Sequence, residues 1–76
     1  MSLMEEYLLK PLSDLERLLH RLNDELEEVE EERMFVMGQT GIHLPGAAVK
    51  KYEAEVQSLK NKIEACESAI REKMAS

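Results

Sequence analysis

The chain has 76 residues with 16 acidic and 10 basic side chains, a formal net charge of −6, which allows one domain at most and argues against a surface that condenses on nucleic acid or anionic lipid. With two Tyr, one Phe and no Trp, the apolar fraction rests on Leu, Val, Ile, Met and Ala, residues that suit long helix seams. No apolar run approaches the roughly 18 residues of a membrane span, and the N-terminus lacks the basic start and apolar stretch of a signal peptide, so the chain reads as soluble.

Residues 2–10 carry the first start signal, Ser2-Leu3-Met4-Glu5, in which a Ser and a Glu three residues later form a capping box. A second, Ser13-Asp14-Leu15-Glu16, competes with it. Pro11 lies between the two and removes one helical hydrogen bond. If Ser13 is the cap, residues 2–10 form a separate short helix or tail; because Leu8 and Leu12 keep the apolar pattern in phase across Pro11, the expectation leans to one helix over about 4–37, bent there. Met1 to Leu3 precede a second methionine, Met4, and read as an added leader as readily as native sequence.

Stepping alternately by four and three residues from Leu8 gives Leu12, Leu15, Leu19, Leu22, Leu26, Val29, Arg33 and Val36, apolar at every position except Arg33. Only a period near 3.5 keeps such a stripe facing a partner helix, so this is a coiled-coil seam. Arg33 is expected to lay its stem on the ring of Tyr52, its guanidinium reaching Glu30 or water.

Four of the five Gly and Pro residues fall between Gly38 and Gly46, which places a loop at about 38–45. Gly38 suits a helix C-terminus and Pro45 the first turn of the next helix. The second helix, about 46–74, carries its own seam from Val49 through Tyr52, Val56, Leu59, Ile63, Cys66 and Ile70 to Lys73. So short a loop makes the two helices antiparallel neighbours, and one register aligns both seams: Val36 with Val49, Arg33 with Tyr52, Val29 with Val56, Leu26 with Leu59, Leu22 with Ile63, Leu19 with Cys66, and Leu15 with Ile70.

Residues 2–37 hold eleven acids and four bases, whereas 46–74 hold five acids and six bases. The register brings Glu25 toward Lys62 and Glu30 toward Lys60, and sets Glu32 near Glu55; exposed pairs of this kind tune orientation and contribute at most about 1 kcal/mol each. Cys66 is the single cysteine, so no intrachain disulfide exists, and a thiol on an apolar stripe reads as a small buried hydrophobe in a reducing, cytoplasmic setting.

The expected architecture is therefore all-α, an antiparallel two-helix coiled-coil hairpin that dimerises into a four-helix bundle. Leu3, Met4, Leu9 and Leu18 widen the stripe at the open end, and Ala65 and Ala69 place small side chains on the matching part of the second helix. One partner helix cannot cover that width, so the surplus is assigned to a second copy or another helical protein. At the other end Met34, Phe35 and Met37, with Ile42 and Leu44 in the loop, form a methionine-rich tip that either caps the helix ends or grips a partner.

Asp24, Glu25, Glu27, Glu28, Glu30, Glu31 and Glu32 form an acidic run that reads as a solvated outer face, with docking to a basic protein as the alternative. It lacks the glycine turn of a calcium loop. His20 stands four residues after Glu16, not the three of a di-iron Glu-x-x-His pair, and His43 is a lone loop histidine. Gly38-Gln39-Thr40-Gly41 matches the GxxG loop of KH domains in letters only, without their α/β context or basic neighbours. No catalytic residue, metal, cofactor or small-molecule substrate is expected.

The function expected is a non-enzymatic protein–protein interaction module, a self-associating scaffold or adaptor acting through Leu8, Leu12, Leu15, Leu18, Leu19, Leu22, Leu26 and Val29 on one helix and Val56, Leu59, Ile63, Cys66 and Ile70 on the other. The alternative is a chaperone or regulator that holds a partner helix in its apolar groove. A nucleic-acid-binding bundle ranks last, since Lys50, Lys51, Lys60 and Lys62 make only a thin basic stripe.

Overall fold

The computed structural model describes residues 2–39 and 46–75, nearly all of them helical. Among the described residues three helices follow in order: α1 (Leu3–Leu8), α2 (Leu12–Gln39) and α3 (Gly46–Ala75). The segment expected to be one bent helix is thus two, and the chain breaks at 9–11 instead of kinking at Pro11.

The local chemistry accounts for the break. Ser2 accepts from the Glu5 N–H while the Glu5 carboxylate accepts from the Ser2 N–H, each at 3.2 Å, so the first capping box starts α1. At its other end the Leu9 and Lys10 N–H groups turn back to the Glu6 and Tyr7 carbonyls at 3.2 and 3.0 Å, three residues away, which tightens the last turn. Pro11 has no N–H to continue that ladder. Its carbonyl instead accepts from Asp14 and Leu15 and opens α2, leaving Ser13 inside the first turn and not at the cap where the second signal had placed it.

α2 runs through Gly38 to Gln39, slightly past the expected end near Met37. α3 packs antiparallel to α2, as two contacts at opposite ends establish. The Cys66 thiol donates to the Leu15 carbonyl at 3.2 Å near the open end, and the Tyr52 hydroxyl reaches Glu32 Oε1 at 3.5 Å near the turn. The Tyr52 contact lies one residue from the expected register, at the carboxylate next to Arg33, and the Cys66 contact four residues from it, at the Leu15 carbonyl instead of Leu19.

α1 also packs on α3. The buried core is Tyr7, Leu15, Leu22, Leu59, Cys66 and Ala69, so it is drawn from all three helices and is weighted to the open end. Leu3, Leu8, Leu18, Leu19, Leu26, Val29, Ile63, Ala65 and Ile70 pack around it but stay half-buried. Among the described residues no helix is long and apolar enough to cross a membrane.

Candidate interaction surface

Helical spacing dictates what lies beside the seam. On α3, Ala54, Ser58, Ala65 and Ala69 follow at intervals of four, seven and four, which puts them on one stripe. On α2, Leu18, Arg21, Glu25, Glu28 and Glu32 follow at three or four and line the facing edge. Between these edges runs a groove, and toward the open end α1 packs on its α3 side, Tyr7 joining the buried cluster with Cys66 and Ala69. Of the apolar surplus assigned from sequence to a partner, Leu3 and Leu18 pack in part against the chain's own buried cluster.

The other half of the groove is open. It holds about 510 Å³ over a floor of Val29, Leu59, Ala54 and Ser58, walled by Glu25 and Glu28 on α2 and by Lys51, Glu55 and Lys62 on α3. Glu25 and Lys62, expected to approach each other, thus share this groove, while the Glu25 carboxylate lies 3.9 Å from Arg21 within its own helix. A second hollow, beside the start of α2, gathers Lys10, Arg17 and Arg21 with Asp14 and Leu18. One edge of α2 is therefore basic toward the open end and acidic toward the turn.

The ion pairs along this helix are loose and exposed. Arg17 stands 3.9 Å from Asp14, Arg21 3.9 Å from Glu25, and His20 3.6 Å from Asp24. Every acid of the run from Asp24 to Glu32 is exposed. Toward the turn Glu32 and Glu55 do share a site, with Tyr52 and Lys51 between them. The Tyr52 hydroxyl is held above the ordinary phenol range by desolvation, then by the charge and hydrogen bond of Glu32 and by the charge of Glu55. Burial likewise raises the Cys66 thiol, with Glu67 adding to it, and raises the Tyr7 hydroxyl, with Cys66 and Glu6 adding and Arg21 opposing.

Of the expected seam, Leu15, Leu22, Leu59 and Cys66 are buried, and Leu8, Leu12, Leu18, Leu19, Leu26, Val29, Val56, Ile63 and Ile70 are half-buried. Tyr7 was missed because it falls off the α2 heptad; its signal was the pairing of an aromatic with the small residues Ala65 and Ala69 once Pro11 ends the first helix. Of the expected tip, Met34 is 75% exposed. Ile42, His43 and Leu44 lie outside the described residues, as do the side chains of Phe35 and Met37. Leu9, in the break, is 74% exposed.

Among the described residues no three His, Cys, Asp or Glu side chains converge as metal ligands. No protein family, no protein of curated function and no solved structure gives a significant match to the chain.

Proposed function

We propose that the protein is a non-enzymatic interaction module that self-associates, two copies burying their half-covered seams in a four-helix bundle and acting as a small scaffold or adaptor. The observation that carries this reading is the disproportion between the apolar stripe and what one chain covers. Among the described residues six side chains form the buried core, while nine more seam leucines, valines and isoleucines remain half-exposed along it.

The shape supports it. The chain measures 51 × 22 × 14 Å with a radius of gyration of 15.6 Å, against about 11 Å for a compact domain of this length. Its accessible surface of 5636 Å² exceeds the roughly 4,800 Å² of a compact monomer of 8.8 kDa, and the excess is comparable to the ~800 Å² that each partner contributes to an ordinary stable interface.

Val29→Glu with Val56→Glu tests the reading, since both residues are half-buried on the turn-ward part of the seam. The double variant should lose its oligomeric mass; a variant that keeps the parent's mass would remove the seam from the interface. The chaperone-like alternative has the open groove as its support, and it predicts a monomer whose helices gain protection only on adding a partner helix.

A further inference from the structure

Three features of one face belong together: a groove whose α3 side is covered by α1 toward the open end, the same groove open toward the turn, and an α2 edge that carries Arg17 and Arg21, with Asp14, beside the covered half and Glu25 and Glu28 beside the open one. We propose that this face is self-complementary. The α1 segment of a second copy covers the empty half-groove, and the arrangement is repeated by a two-fold axis across the middle of α2. The proposal rests on the self-association reading and places the contact on the groove face, whose open half takes in Val29 but not Val56 of the half-exposed seam, in a stated orientation.

Shape carries the first part. A ridge on one half of a face and a hollow of about 510 Å³ on the other are interchanged by a two-fold axis perpendicular to the helices, so each copy's ridge meets the other's hollow. The ridge brings an apolar contact with it, because Leu9 at the end of α1 is 74% exposed, and the hollow offers Val29, Leu59 and Ala54.

Charge carries the second part and fixes the orientation. With the axis between Arg21 and Glu25, Arg21 of one copy faces Glu25 of the other, and Arg17 faces Glu28, each contact occurring twice. Lys10 extends the basic side of the same patch. The parallel arrangement would set Arg17 and Arg21 against themselves and Glu25 and Glu28 against themselves, and like charges so placed disfavour it. The intrahelical pairs that would be exchanged are exposed and lie at 3.9 Å, so little is lost in giving them up.

The experiment is a charge swap read by sedimentation at low salt, with helicity as the check on folding. One variant carries Arg17→Glu and Arg21→Glu; the other carries Glu25→Arg and Glu28→Arg. Each alone should dimerise at least about tenfold more weakly than the parent, and an equimolar mixture should recover a dimer containing one of each. Variants that dimerise as tightly as a dimeric parent would overturn the proposed face while leaving self-association intact. A parent that stays monomeric throughout the concentration range would overturn self-association, and the proposal with it.

Discussion

The Cys66 thiol lies 3.2 Å from the Leu15 carbonyl, a side chain of one helix touching the backbone of the other, and both residues are fully buried. That approach requires a small residue at 66, because a longer side chain would push α3 away from α2. The carbonyl accepts the thiol on a lone pair left beside its ordinary helical bond from Leu19. Ala69, one turn on and equally buried, continues the close contact and leaves room for Tyr7.

Cys66→Leu is therefore expected to destabilise the fold by about 1–3 kcal/mol through overpacking, although leucine is the more hydrophobic residue. Cys66→Ala, which keeps the close approach and loses the sulfur, should cost about 1 kcal/mol. Urea unfolding at one fixed protein concentration measures both. A leucine variant as stable as the parent would mean that the helices do not meet closely here.

Stability should fall at alkaline pH. The Cys66 and Tyr7 pKa values are raised in the folded state, so above the ordinary thiol value, about 8.5, the unfolded chain begins to release a proton that the folded chain keeps. Their contribution is complete below that pH and is lost as pH rises toward the folded values. Cys66→Ala should flatten the first part of this decline in a series of melting temperatures between pH 8 and 10. An unchanged profile in that variant would assign the decline to other groups.

Leu22→Ala should cost about 2–5 kcal/mol, being almost fully buried, and Ile63→Ala less, being half-buried. Leu22→Asp or Ile63→Asp should abolish helicity or assembly, because each buries a carboxylate without a partner. Circular dichroism with sedimentation reads both consequences. Parent-like helicity and mass in either Asp variant would show that the seam does not hold the structure.

Docking of α1 depends on Tyr7 and on its cap. Tyr7→Ala should destabilise by about 3 kcal/mol, and Ser2→Ala by about 1 kcal/mol. Both should speed amide exchange in residues 3–8 far more than in the middle of α2. Equal acceleration along the whole chain would mean that α1 has no separate docking step.

The seams were legible because a 3.5-residue period of Leu, Val and Ile has one structural use, and the short Gly/Pro interval left the two helices one way to meet. The break at 9–11 was not. Leu8 and Leu12 keep the heptad in phase whether the chain bends or stops at Pro11, so periodicity carries no information there. The two capping boxes also tied on sequence; the first one forms, and with it goes the burial of Tyr7 against α3, a contact between residues 59 apart that no local pattern contains. Glu25 shares the groove with Lys62 as expected, but its ion pair is with Arg21: on an exposed helix edge, a partner three or four residues away competes with one across the groove.

Self-association is tested most directly by the mass in solution, measured by light scattering over a wide concentration range alongside helicity. The account predicts a helical species at about twice the 8.8 kDa chain mass that dissociates only on dilution. A monomer of 8.8 kDa that keeps full helicity at every concentration would contradict it.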